Sequence, residues 1–184
     1  MKLTLKTPPA TDPVTLAEVK AHLNITHTDD DDLLGEYLET AIAALDGRDG
    51  MLGRGLVNQV WTLALPGFAS EIRLPLPPTQ SVGAITYIDL DGQTQSLPEN
   101  AYAVSGIGGL NWAVIRPATG QAWPTTAEGE EVVTVEFTAG FGTAADVPAP
   151  IRHAIKEHVS RLYEDRESGS RMADAVDAYR VWSF

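Results

Sequence analysis

Helical signals lie at both ends of this chain and strand signals fill its middle. This order constrains the fold more than any other feature of the sequence. Two amphipathic segments, residues 15–24 and 29–46, precede a Gly- and Pro-rich run of short strand patterns. One long helical pattern follows over residues 148–166. Because flanking helices can pack on each other, the order predicts an α+β fold: a small α-helical bundle with an inserted antiparallel β subdomain and an extended C-terminal tail.

The helix patterns carry their own start signals and apolar stripes. Thr15-Leu-Ala-Glu18 predicts a capping box, in which the Thr15 hydroxyl accepts from the Glu18 amide and the Glu18 carboxylate reaches back. Acids over residues 29–32 favour the start of the second helix, and Pro150 suits the first turn of the third. Apolar residues recur at helical spacing in the second and third helices. We expect these two stripes to pack together: Leu34, Leu38 and Ile42 against Ile151, Ile155, Val159 and Leu162.

These signals predict the domain organisation. Residues 1–14, which include three prolines, are expected to form an extended N-terminal arm. Residues 15–55 and 141–167 would form the helical domain, and residues 56–140 the β insertion. Residues 168–184 would form a C-terminal docking tail.

Composition excludes several classes of function. The formal net charge is −12, with 25 acidic against 13 basic residues. Free binding to nucleic acid is not expected, because affinity for phosphates depends on Lys and Arg. The chain has no cysteine, so disulfides and thiolate metal sites are excluded. No apolar run approaches the roughly 20 residues that a membrane-spanning helix needs.

No arrangement of polar residues predicts catalysis or a metal site. The acids at residues 29–32 are consecutive, and Leu34 stands where a calcium-binding EF-hand loop needs Gly. The Asp89-Leu-Asp91-Gly92 segment is explained by a hairpin turn. His153 and His158 are five residues apart and so lie on different helix faces. The sequence therefore predicts a protein that is not an enzyme and that binds no metal and no cofactor.

The C-terminal tail combines a flexible joint with aromatic residues. Ser168-Gly-Ser170 breaks the helical pattern, and an apolar cluster of Tyr179, Val181, Trp182 and Phe184 follows it. Such a cluster either folds back on the core of its own chain or binds a partner. Aromatic anchors are typical of binding hot spots, so the sequence favours partner docking, with Arg180 pairing with a carboxylate of the partner.

Several segments, taken in order, resemble the head–tail connector, or adaptor, proteins of long-tailed bacteriophages and of phage-derived gene transfer agents. No single segment is specific, but their order over nearly the whole chain is. The last eighteen residues match least. The matching segments are Pro13-Val-Thr-Leu-Ala-Glu-Val-Lys-Ala-His-Leu23, Asp30-Asp-Asp-Leu-Leu34, Gly55-Leu-Val-Asn-Gln-Val-Trp61, Leu74-Pro-Leu-Pro-Pro78, residues 82–92, Phe137-Thr-Ala-Gly-Phe-Gly142, Val147-Pro148, Ile151-Arg-His-Ala-Ile155 and Leu162-Tyr-Glu-Asp-Arg-Glu167.

The resemblance implies a structural virion protein of the particle neck, assembled in the bacterial cytoplasm. Such proteins form a ring, usually twelve-fold, under the portal protein. The ring prolongs the DNA channel, through which DNA passes without specific binding, and offers a platform to the next neck or tail protein, a stopper or a tail terminator. With the portal as the partner that the resemblance implies, we expect the tail residues to dock there on account of their own aromatic and apolar chemistry, because this segment matches the family least. These residues are Tyr179, Arg180, Val181, Trp182 and Phe184.

The main alternative is a non-catalytic carbohydrate- or ligand-binding module. It rests on Trp61, Trp112 and Trp123 in the β part, because sugars stack on exposed tryptophan rings. Exposed tryptophans on one sheet face would favour this alternative, and buried ones would count against it. A third class, an acid–base hydrolase, has no supporting constellation.

Overall fold

The computed structural model describes residues 1–164 and 179–181, which divide into two compact units. The β unit comprises Met1–Pro9 and Asn58–Gly140. The helical unit comprises Ala10–Val57 and the chain from Phe141 onward. Residues 1–9 thus group with the strands instead of forming a separate arm together with residues 10–14.

The helical unit contains α1 (Leu16–Leu23), α2 (Asp31–Ala43) and α3 (Ala149–Glu164). The predicted capping box of α1 is confirmed, since the Glu18 amide donates to Thr15 Oγ1 at 3.3 Å and the Thr15 amide donates to Glu18 Oε2 at 2.9 Å. The second helix was predicted over residues 29–46 and is shorter at both ends. It runs from Asp31 to Ala43, with Asp30 as its N-cap and Ala44 as its C-cap. A turn through Gly47, with φ of 74°, follows it.

The core of the helical unit is built where the two predicted stripes meet. Leu34 and Leu38 of α2 and Ile155 and Val159 of α3 are buried in one apolar cluster. Ile42 packs against the edge of this cluster, whereas Leu162 is half-buried. The other buried members are Val14, Val19, Ala41, Leu45, Leu52, Leu56, Val57, Val147, Ile151 and Ala154.

The β unit contains eight strands in two sheets. The strands are β1 (Lys2–Thr7), β2 (Gln59–Leu65), β3 (Ile72–Leu74), β4 (Thr79–Ile88), β5 (Thr94–Ser96), β6 (Tyr102–Ser105), β7 (Ala113–Pro117) and β8 (Val133–Ala139). One sheet has the order β1-β2-β8-β4-β5 and the other the order β3-β7-β6. Each of these strand pairings within the described chain is antiparallel, as the sequence predicted.

The two sheets share one core. Alternation along β2 and β8 directs every second residue inward, so Trp61 lies opposite Phe137 and Leu63 opposite Val135. Apolar residues of β3 and β7, among them Ile115, belong to the same buried cluster. Because β1 pairs with β2, the N-terminal strand extends the larger sheet at its edge. No helix in the described ranges has the length and apolar character of a membrane span.

Candidate docking segment

The loop that follows α2 is held rigidly on the core of the helical unit. Leu52 and Leu56 are fully buried in the apolar cluster. The Gly47 amide donates to the Arg54 carbonyl at 2.6 Å, and the Leu56 amide donates to Asp46 Oδ1 at 2.7 Å. The loop that contains residues 52–54 is therefore anchored by contacts that do not involve residues 179–181.

The guanidinium of Arg54 is the notable polar group of this loop. Arg54 is 4% exposed, and its burial lowers its pKa. Nε of Arg54 donates to the carbonyl oxygen of Tyr179, 125 positions along the chain. A buried guanidinium is costly unless hydrogen bonds compensate it, so its contact with the C-terminal segment contributes to holding that segment.

The C-terminal segment 179–181 lies along residues 52–54. The Val181 amide donates to the Leu52 carbonyl at 2.9 Å, and Tyr179 packs half-buried against the apolar cluster. Gly53 has φ of 60°, and a Cβ built on it would lie 3.5 Å from Cβ of Val181. Arg180, between the two anchored residues, is exposed. A backbone hydrogen bond, a buried cation and a close contact over a glycine together hold residues 179–181 on this loop.

The structure thus describes three of the five predicted docking residues. Tyr179 and Val181 contact their own helical unit, which was the alternative to partner docking that the sequence left open. Trp182 and Phe184 lie outside the described residues, as does the predicted joint at residues 168–170. Sequence reasoning missed Arg54, and its only signal was a single arginine between Gly53 and Gly55.

Several acidic residues of the helical unit are engaged in local contacts. Lys20 Nζ lies 2.5 Å from Asp31 Oδ1, and the Tyr163 hydroxyl donates to Asp30 Oδ2 at 2.8 Å. A backbone hydrogen bond within the capping box lowers the pKa of Glu18, which also pairs with Arg152. Within residues 1–164 and 179–181, no group of three or more His, Cys, Asp or Glu is arranged to hold a metal ion.

Asp89 in the β unit lies in a hairpin turn, as the sequence predicted. Its Oδ1 accepts from the amides of Asp91 and Gln93, at 3.0 and 2.9 Å. Its Oδ2 accepts from the Gln95 side chain at 2.7 Å, and this bond is the main cause of the lowered pKa of Asp89. The carboxylate therefore orders the turn between β4 and β5.

The histidines have structural surroundings. His22 Nε2 lies 3.2 Å from Glu157 Oε1, and its ring meets that of His153 edge-on at 5.8 Å. His158 is 8% exposed, and its pKa is lowered, first by burial and second by the charge of Arg161. A buried neutral imidazole of this kind belongs to the core of the helical unit.

The three tryptophans do not form an exposed platform. Trp61 is 6% exposed in the core of the β unit. Trp123 is half-buried, stacks on Phe68 at 4.7 Å between ring centroids and donates to the Ala69 carbonyl at 2.6 Å. Trp112 is half-buried under the guanidinium of Arg73, 5.9 Å from its ring centroid. The observation that would favour a carbohydrate-binding module is therefore missing for these three side chains.

Comparison with protein families gives a match over part of the chain. Residues 13–85 match the family described as phage gp6-like head-tail connector proteins. The resemblance to head–tail connectors is confirmed. The match spans α1, α2, residues 52–54 and the chain into β4. A comparison with curated proteins gives no match.

Solved structures of similar fold cover the whole chain. One is from the neck of an empty gene transfer agent particle, computed with C6 symmetry, with a TM-score of 0.79 and 21% identity. Two others, at 0.78 and 23%, are from the virion of a native gene transfer agent particle and from its neck computed with C12 symmetry. Each match covers 100% of this chain and 97% of the other chain. The chain thus has the fold of gene transfer agent neck proteins over its full length.

Proposed function

We propose that this protein is the structural head–tail adaptor of a phage or gene-transfer-agent particle. One observation carries the proposal: a connector-family segment, residues 13–85, lies within a chain whose entire fold is that of a particle neck protein. The adaptor forms a twelve-fold ring below the portal, extends the DNA channel and supports the next neck or tail protein, a stopper or a tail terminator. It acts without catalysis, enters the virion neck and is assembled in the bacterial cytoplasm.

The charge of the chain suits a channel through which DNA moves. A formal charge of −12 per copy, multiplied around a ring, repels phosphates and keeps DNA from adhering to the wall. We expect no shift of duplex DNA in a gel assay with the free protein at physiological salt. A shift that weakens as salt is added would contradict this part of the proposal.

The C-terminal tail is proposed to dock on the portal. Tyr179, Val181, Trp182 and Phe184 supply apolar and aromatic anchors, and the exposed Arg180 pairs with a carboxylate of the portal. Each anchor contributes modestly, and repetition around the ring multiplies the contribution.

Attachment of the full chain to portal-bearing capsids tests the docking. The double substitution of Trp182→Ala and Phe184→Ala is expected to abolish co-sedimentation with such capsids while the circular dichroism of the chain is unchanged. A matched control replaces the exposed Leu90 and Leu110 of the β unit by alanine. Full attachment of the tail variant would place the portal anchor elsewhere, most simply on α3.

A further inference from the structure

The segment proposed to bind the portal is already bound to its own chain. Tyr179 and Val181 lie on residues 52–54 through the Arg54 guanidinium, the Leu52 carbonyl and the space above Gly53. While these contacts last, the backbone groups of Tyr179 and Val181 are occupied and their side chains offer a partner only the exposed part.

We propose that Leu52, Gly53 and Arg54 form a reversible dock for the C-terminal segment 179–181. The dock holds the tail on the helical unit of the free chain and releases it when the portal offers a better site. The inference rests on the proposed function, because release has a purpose only if the tail binds a partner.

The contacts fit a dock that recognises backbone and that can be left again. Two hydrogen bonds between these segments go to main-chain atoms of the tail, the Tyr179 carbonyl and the Val181 amide. The side chains of Tyr179 and Val181 are only partly buried, and Arg180 is exposed. Partial burial limits the apolar contribution to affinity, so the tail is held without being locked.

The occupant is this chain's own tail, and the geometry allows a direct test. Gly53 has no Cβ, but a Cβ added at this position would lie 3.5 Å from Cβ of Val181. This distance is within the range of about 3.5–4.5 Å that a disulfide requires. Because the chain has no cysteine, a Gly53→Cys, Val181→Cys double variant carries a single possible disulfide per chain. Mild oxidation with glutathione disulfide would close it.

We expect a disulfide within one chain, seen as a monomer without free thiols on a non-reducing gel. The oxidised chain should lose attachment to portal-bearing capsids at least about tenfold, and a thiol reductant should restore it. Single variants at Gly53 and at Val181 control for each substitution alone. A crosslink between two chains, or none, would overturn the dock, and full attachment of the oxidised chain would overturn its release.

A second measurement needs no change at Gly53, whose φ of 60° a cysteine adopts at some cost. Hydrogen exchange of the full chain should show the Val181 amide protected, and Arg54→Gln should speed its exchange about tenfold or more. Equal exchange in both proteins would contradict the dock. Portal binding by the unaltered chain is scored separately, so failure of the adaptor proposal leaves the crosslinking and exchange results interpretable.

Discussion

The helical unit and the β unit differ in what they bury. Among the described residues, the buried polar groups of the β unit are Gln59 and Thr79, both neutral. The helical unit buries Arg54 and His158, both of which can carry charge. Burial disfavours the charged form of such a group, so the stability of the helical unit depends on the partners of Arg54 and, through His158, on pH. The buried polar groups of the β unit are therefore neutral, whereas those of the helical unit are ionisable.

The largest expected effect tests the helix contact on which the helical unit depends. Ile155 of α3 is fully buried in the apolar cluster that also contains Leu34 and Leu38 of α2. Ile155→Asp therefore loses apolar burial and places a carboxylate in this core. We expect the free energy of unfolding to fall by about 5 kcal/mol. Chemical denaturation followed at 222 nm measures it. Ala149→Asp, at the exposed start of the same helix, should change little, and unaltered stability of Ile155→Asp would refute the packing.

A core substitution in the neutral unit gives the matching measurement. Phe137 is 1% exposed at the centre of β8, opposite Trp61. Phe137→Ala should cost about 3–4 kcal/mol through lost burial and the cavity left behind. The loss should be the same at pH 7.5 and pH 5.5, because no ionisable side chain belongs to that buried cluster. A strong pH dependence of this loss would contradict the claim that the core of the β unit, unlike that of the helical unit, is insensitive to pH.

The buried guanidinium should matter less than either core residue. Arg54→Ala leaves the Tyr179 carbonyl without this donor and removes packing around the loop. We expect a loss of about 2 kcal/mol together with release of residues 179–181. The release should appear as faster hydrogen exchange of the Val181 amide, which donates to the Leu52 carbonyl. Arg48→Ala, at an exposed position of the same loop, is the control. Unchanged stability and unchanged exchange would show that Arg54 does not hold the tail.

The smallest expected effect concerns pH. Burial lowers the pKa of His158 below its ordinary value of 6.5, so the unfolded chain takes up a proton more readily than the folded one. The effect of His158 on the free energy of unfolding is therefore absent above about pH 7. As the pH drops below 6.5 towards the folded-state pKa, protonation of the unfolded chain lowers the stability.

Removing the imidazole isolates this contribution. His158→Leu should lose less stability than the unaltered chain between pH 7 and pH 5.5, in parallel denaturation series. The exposed His27 provides the control substitution, His27→Leu. Identical pH profiles for the unaltered chain and His158→Leu would contradict the assignment.

The features of the fold that could be predicted from the sequence are those set by interactions between residues close together in the chain. The capping box at Thr15, the helix beginning near Pro150 and the strand Tyr102–Ser105 all depend on neighbours within a few residues. Strand pairing was not predictable, because it joins distant segments. Residues 2–7 were expected to be an arm, since Pro8 and Pro9 marked them as extended, and their backbone hydrogen bonds to β2 have no local signal.

The candidate site shows the same limit more sharply. The aromatic tail could be found from composition and position alone. The dock could not, because Arg54 reaches Tyr179 across 125 positions and only the folded core of the helical unit brings them together. The two outcomes open to the tail, its own core or a partner, were visible in the sequence, and residues 179–181 show the first of them.

Electron microscopy of portal-bearing capsids incubated with the full chain tests the central claim most directly. The account predicts a closed ring of this protein seated beneath the portal, around an open axial channel, and its absence when Trp182 and Phe184 are replaced by alanine. Portals that stay bare while the protein remains folded and in excess would contradict the assignment as head–tail adaptor.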